Sequence, residues 1–250
     1  MISCNLNGGL GNYMFQIAAA HTLASKNNTI AKFNFSSANQ VHKNISCYVD
    51  NIFRNVIDGD CELFWQYDEP SFSFSELPYE NGLLLHGYFQ SEQYLDRELI
   101  LNLFAPDDKN LQYIKSKYNF NNMVAVHVRR GDYVNKQDRH PVQSMDYYNN
   151  AIEHFDNSKS FYILSDDIEW CKLHFKGKQF KFIENELDYI DLWIMNLCEH
   201  NIIANSSFSW WGAWLNNNPD KIVIAPKNWF GPNKKLDDKD LIPEKWIKIV

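Results

Sequence analysis

The chain has 250 residues, 45% of them hydrophobic and 22% charged, enough to bury a sizeable core in one large domain or two small ones. Its formal net charge of −7 repels a phosphate backbone and argues against nucleic-acid binding, and no apolar run approaches the ~20 residues of a membrane span. Residues 1–5 lack the basic and apolar regions of a signal peptide, and five cysteines without a C-x-x-C pair fit reduced thiols, so a cytoplasmic protein is expected.

The pattern opens with a strand ending near Leu6, a glycine-rich turn Gly8-Gly9-Leu10-Gly11, a helix over 12–26 and a strand over 29–35. From 40 to 78 the sequence breaks into short polar and aromatic pieces with no assignable period. Order returns with a strand over 82–89, a helix over 91–103 stopped by Pro106, and a helix over 110–118. The polar stretch 118–122 is the expected boundary. Beyond it, β-branched runs at 123–128, 161–164, 180–183, 202–204 and 222–225 alternate with helical spacing at 144–155, 168–175, 189–199 and 208–217. Ser144 is a plausible N-cap for the first of these helices. Such alternation implies parallel strands with right-handed crossovers, a doubly wound α/β arrangement. The expectation is two Rossmann-like lobes, 1–120 and 121–250, facing a cleft.

Several short motifs carry chemistry. Gly9-Leu10-Gly11 stands where a dinucleotide fingerprint would, but Met14 occupies the third glycine position and no acid precedes Asp50, which disfavours NAD. The turn either presents amides to an anion or merely joins strand to helix. His127-Val128-Arg129-Arg130-Gly131-Asp132-Tyr133 leaves a buried strand with two always-charged guanidinium groups, which suit a phosphate or, alternatively, an internal Arg130–Asp132 pair. Ser165-Asp166-Asp167 ends the next strand, with Asp167 readable as a helix N-cap. Asn205-Ser206-Ser207 ends another, as an anion cradle without lysine or as plain N-capping by Ser206 or Ser207. Trp210, Trp211 and Trp214 read as helix–sheet packing. Asp191, on a mostly apolar helix, needs donors to offset its burial, and a guanine edge could supply them. No P-loop string occurs, and the D-x-D strings at 58–60 and 238–240 read as solvated loops. The clusters fall on one sheet edge and together describe a site for a nucleoside diphosphate.

Gly8 to Asn12 with Met14-Phe15-Gln16, Gly87 to Glu92, His127 to Tyr133, Ser165-Asp166-Asp167 and Asn205 to Trp211, in that order, resemble the bacterial α-1,2-fucosyltransferases of glycosyltransferase family 11. The resemblance implies a GT-B fold, a GDP-fucose donor, inversion, no cofactor or required metal, and transfer to the 2-hydroxyl of a terminal galactose in a glycan. It implies donor binding by Gly11, Asn12, His127, Arg129, Asp166, Asp191, Asn205, Ser206 and Ser207. Arg129 would meet the β-phosphate, Asp191 the guanine, and Ser206 and Ser207 the phosphates. Arg129 and Asp132 are the expected catalytic pair, Asp132 as general base, with Asp138 and His140 in reserve. The acceptor is expected on the first lobe, among Phe64, Trp65, Tyr67, Phe72, Phe74, Tyr79, Tyr88 and Phe89. Two features depart from the family: Tyr13 replaces the usual Gln, and the chain is short in the 40–78 region. A different GDP-sugar or linkage, an inactive nucleotide-sugar-binding module, and peripheral contact with the cytoplasmic face of a membrane stay open.

Overall fold

In a computed structural model that describes residues 1–40 and 44–250, the chain divides into two units. The first comprises Met1–Asp107 and Leu236–Pro243, the second Asp108–Lys235 and Glu244–Val250. The expected pieces of the 40–78 region at 41–43 lie outside the described residues.

The first unit holds β1 (Ile2–Cys4), β2 (Asn7–Gly8), α1 (Leu10–Lys26), β3 (Asn39–Gln40), α2 (Ser46–Val49), β4 (Trp65–Asp68), β5 (Leu83–His86) and α3 (Arg97–Leu103). Its main sheet is parallel in the order β1-β5-β4, while β2 and β3 form a separate pair. The strand expected at 29–35 is reduced to single parallel bridges, Ile2 to Ala31 and Phe33 to Asp58. α1 is buried on nearly every side, and its Ala18-Ala19-Ala20 run lets the sheet approach closely. The helix expected over 91–103 is broken. A 3-10 turn at Glu92–Tyr94 is capped by Ser91, and Asp96 then accepts from the Leu99 amide at 3.0 Å and starts α3 afresh. β4 is almost wholly exposed, so it shows none of the apolar alternation that marks a strand.

The second unit holds α4 (Asp108–Lys117), β6 (Met123–Val128), α5 (Met145–Ile152), β7 (Ser160–Ser165), α6 (Ile168–His174), β8 (Phe180–Phe182), α7 (Asp188–Leu197), β9 (His200–Ile202), α8 (Ser207–Leu215), β10 (Val223–Pro226) and β11 (Ile247–Ile249). The division between units falls before α4, not at 120–121. Tyr113 and Tyr118, on and just after α4, donate to Glu186 at 2.9 and 2.6 Å, and Lys117 pairs with the same carboxylate. These bonds fasten α4 to the segment that leads into α7. All six strands run parallel in the order β11-β10-β9-β6-β7-β8. Counted from β6, that order is 3-2-1-4-5-6, the doubly wound Rossmann arrangement. Ser144 caps α5, its hydroxyl accepting from the Tyr147 amide at 3.2 Å. The three tryptophans of α8 are buried and pack on one another, as helix–sheet packing requires. Among the described residues no helix is long and apolar enough to cross a membrane.

Candidate active site at the switch point of the second sheet

The chain leaves β6 toward β7 on one side and comes back to β9 on the other. Beyond the carboxyl ends of β6 and β9 the sheet therefore opens a crevice, where doubly wound folds hold ligands. Two adjacent tyrosines of α5 hold both lips. The Tyr148 hydroxyl donates to the His127 carbonyl at 3.3 Å, and the Tyr147 hydroxyl to the Ile203 carbonyl at 2.6 Å. Tyr133 closes the link across, its hydroxyl donating to the Asn205 carbonyl at 3.3 Å.

Arg129 leaves β6 into a nest of acids. Its two terminal nitrogens reach Asp132 Oδ1 at 2.6 Å and Asp166 Oδ2 at 2.9 Å, and the guanidinium lies over the Tyr133 ring, 5.1 Å from its centroid. Arg129 Nε is buried and meets no hydrogen-bond acceptor among the described residues. Arg130 turns the other way. Its Nε donates to Asp167 Oδ2 at 3.0 Å and its plane lies 4.1 Å over the Trp170 ring, so the Arg130–Asp132 pair weighed from the sequence does not form. Asp132 pairs with Arg129 and, through its second oxygen, with Lys136 at 2.9 Å. Asp166 also accepts from the Arg130 amide at 2.9 Å. A side chain on Gly131 would overlap that carboxylate, so glycine here leaves Asp166 room to reach Arg129. Asp167 caps α6, accepting from the Trp170 amide at 3.3 Å.

The electrostatics follow from this packing. Burial acts to raise the Asp132 carboxyl, but the hydrogen bond from Lys136 and the charge of Arg129 outweigh it and leave the group below its ordinary range. Burial first, then the Arg129 charge, pushes His127 down to about 3, so its imidazole is neutral at ordinary pH. Its Nδ1 is buried with no partner among the described residues, and its ring lies 5.3 Å from that of Phe208.

On the β9 side, Asn205 is fully buried and ties loops together. It accepts from Gln143 Nε2 at 3.0 Å and donates to the Trp229 carbonyl at 3.0 Å. Ser206 is the N-cap of α8 by backbone conformation, yet its hydroxyl makes no capping bond; Ser207 is the first helical residue. Asp191 sits half-buried on the first turn of α7, a helix packed against α8.

Gly11 and Asn12 belong to the first unit, in the first turn of α1. Asn12 Oδ1 accepts from Gln90 Nε2 at 2.9 Å. Tyr13, the departure from the family pattern, is fully buried and donates to the Asn39 carbonyl at 3.2 Å, so it serves the core of this unit. The expected aromatic group splits. Phe64 and Trp65 are 69% and 60% exposed and Tyr79 and Tyr88 partly so, whereas Phe89 is buried and, with Phe74, packs on Tyr94. Sequence reasoning missed Glu69, whose two oxygens accept from the Tyr88 and Phe89 amides at 2.7 and 2.9 Å. Burial raises this carboxyl although those two amides act to lower it. Asp58 and Asp60 are taken up by the Phe35 amide and Asn34, and Asp240 by the Phe74 amide and Gln93, as loop ties. Lys136 was also missed, though its i+4 spacing from Asp132 is a usable signal.

Parallel α/β sheets of this kind, with arginines and helix N-terminal amides at a switch point, suit a phosphorylated ligand. The chain matches the family model described as Glycosyl transferase family 11 over residues 1–250, and it belongs to that family. It is 32% identical over 291 residues to an α-1,2-colitosyltransferase of Escherichia coli, covering 100% of this chain and 99% of the relative. It is 31% identical over 306 residues to the E. coli O-antigen biosynthesis glycosyltransferase WbnK, covering 100% of both. Among solved structures it shares its fold with fucosyltransferase NodZ from Bradyrhizobium (TM-score 0.54, 12% identity, 84% of this chain and 91% of that one). It shares it also with POFUT1 in complex with GDP-fucose (TM-score 0.51, 13% identity, 88% and 94%).

Proposed function

We propose that this family 11 glycosyltransferase moves L-fucose from GDP-β-L-fucose to the 2-hydroxyl of a terminal galactose, with inversion and without a required metal, in building a surface glycan such as an O-antigen. The observation that carries the reading is the convergence of His127, Arg129, Asp166, Ser206 and Ser207 at the carboxyl ends of the strands around one switch point. The O-antigen context and the α-1,2 linkage are supported by the names of the two E. coli relatives.

In this reading the acceptor oxygen forms a bond to the anomeric carbon as the bond to the β-phosphate oxygen breaks, and the hydroxyl proton passes to a base. Negative charge grows on the departing GDP. Arg129 and the amides at the start of α8 meet that charge as it develops, so they lower the barrier rather than merely bind. Asp132 and Asp166 hold the Arg129 fork in place before the donor arrives. Asp132 is poorly suited to take the acceptor proton, because two cations keep its carboxyl ionised and weakly basic. Its role is to position Arg129. Neutral His127 offers a ring nitrogen to the donor, and Asp191 the guanine-recognising carboxylate. The exposed aromatics of the first unit take the acceptor, since sugar C–H faces cover well on rings.

One alternative has its own support: the relative named a colitosyltransferase points to GDP-colitose, the donor that lacks fucose's 3-hydroxyl. A screen of the purified protein with GDP-fucose, GDP-colitose and a panel of galactosides, read by mass spectrometry and linkage analysis, separates the two. Turnover of GDP-fucose to an α-1,2 product, unchanged by EDTA, is expected. Turnover of GDP-colitose alone would replace the sugar but keep the site. GDP binding with no turnover of any donor would reduce the protein to a binding module.

A further inference from the structure

The cations around Arg129 are already matched. Arg129, Arg130 and Lys136 meet Asp132, Asp166 and Asp167, three positive charges against three carboxylates. A diphosphate brought to Arg129 adds negative charge to a group of pairs whose formal charges already sum to zero.

Lys234 is placed differently. The loop after β10 is zipped to the loop after the 3-10 turn at Gly131–Asn135, the Gly231 amide donating to the Arg139 carbonyl at 2.9 Å and the Asn233 amide to the Asp138 carbonyl at 3.0 Å. A side chain on Gly231 would collide with the Asp138 carbonyl, so the close approach depends on glycine. The zip lays Lys234 Nζ over the Phe230 ring, 4.4 Å from its centroid, and 3.3 Å from His140 Nε2. His140 stacks on Tyr133 with ring centroids 4.8 Å apart, and Tyr133 is the ring under Arg129. Arg129 and Lys234 are thus linked through one pair of stacked rings, Arg129 over Tyr133 and Lys234 at the Nε2 edge of His140. Burial first, then the charge of Lys234, pushes His140 down to about 4, so it accepts from the ammonium as a neutral imidazole and cancels no charge. Asp138 takes Asn233 Nδ2 at 3.3 Å, and among the described residues no carboxylate pairs with Lys234. Burial, then Arg139, lowers the lysine from its ordinary range, as expected of an ammonium with no counter-ion.

We infer that Lys234, seated on Phe230 and His140, is a second anion-binding residue of this site, taking a phosphate oxygen of the nucleotide-sugar diphosphate alongside Arg129. The inference rests on the nucleotide-sugar reading above. A methionine there keeps the apolar stem on Phe230 and removes only the charge.

Calorimetric titration of the full chain with GDP and with guanosine tests it. Lys234→Met should weaken GDP about tenfold, the size of one charge-assisted hydrogen bond, and leave guanosine unchanged; Lys234→Arg should restore most of the loss. GDP binding as tight as the parent's, in a Lys234→Met protein that melts like the parent, overturns the inference and leaves the nucleotide-sugar reading standing. Equal weakening of GDP and guanosine overturns it too, since a merely structural lysine would act that way. A parent that binds no GDP at all removes both.

Discussion

The two units of this protein spend their polar side chains differently. In the second unit six strands form a continuous ladder, and β6, β9 and β10 are buried along their whole length. The strands there pair with one another, and past their ends charged side chains face one another: Arg129, Arg130, Lys136 and three aspartates in one patch. In the first unit the pairing is a sheet of three short strands, a separate two-stranded pair and two bridges. Its side chains do the missing work. Gln16 takes the Asn7 amide and donates to the Gly87 carbonyl, Arg54 donates to the Ala105 carbonyl at 2.7 Å, and Glu69 holds the amides of Tyr88 and Phe89. Where the ladder is short, side chains take up backbone groups that strand pairing would otherwise have met.

That contrast can be broken at either end. The largest effect is expected at Arg129. Arg129→Lys keeps the charge but loses the planar fork, so kcat should fall by ~10²–10³ with melting unchanged, and Arg129→Ala should be little worse. Steady-state kinetics on the folded variants decide it; near-normal kcat in Arg129→Lys would remove the fork from the mechanism. Next, Asp191→Ala should weaken GDP by about tenfold or more and leave acceptor KM little changed, read by calorimetry and kinetics. Equal affinity would move guanine recognition elsewhere. In the first unit, Glu69→Ala strips the acceptor from two amides and should cost ~1–3 kcal/mol of stability in chemical denaturation, with GDP affinity unmoved. A loss of GDP binding instead would mean that the first unit also spends polar groups on the donor.

Acid should act more mildly. Burial pushes His21 down to about 4 from the usual 6.5, and its Nε2 has no partner among the described residues. The folded state then binds fewer protons than the unfolded one between those values. The stability this provides is full above about 6.5 and is lost as pH falls toward 4, so Tm should drop across that window. His21→Phe should flatten the drop by a few degrees, and an unchanged slope would assign acid sensitivity to His127 and His140 instead. The smallest effect belongs to Trp65→Ala: stability within ~0.5 kcal/mol, because the ring is exposed, but a raised acceptor KM. Unaltered acceptor kinetics would take that ring out of the acceptor site.

Much of the second sheet was legible because β6, β10 and the middle of β7 are buried and so read as unbroken apolar runs. The Ser144 and Asp167 caps were legible as well, since capping is local. Strand order was not, because β6 pairs with β9 across more than 70 residues and no local pattern encodes that choice. The same limit explains the arginines. Adjacency suggested Arg130 with Asp132, whereas Asp167 and the Trp170 ring, brought over by β7 and α6, offered Arg130 a charge and a stacking face together. β4 and β11 escaped notice because exposed strands lose their apolar period. The break at Asp96 was readable in principle, as an acid three residues before the helical amide it caps.

The path of the last fifteen residues makes the two units interdependent in assembly. After Lys235 the chain joins the first unit, where Asp240 accepts from the Phe74 amide and Gln93, and then returns to lay β11 along β10 in the second. A single cut after Asp107 therefore keeps all of the second unit on one fragment but strips the first unit of residues 236–243. A chain ending at 235 would lack an edge strand in one unit and a carboxylate tie in the other. During synthesis both would wait on the same closing stretch, so a nascent chain stalled there would hold two unfinished halves rather than one finished and one pending.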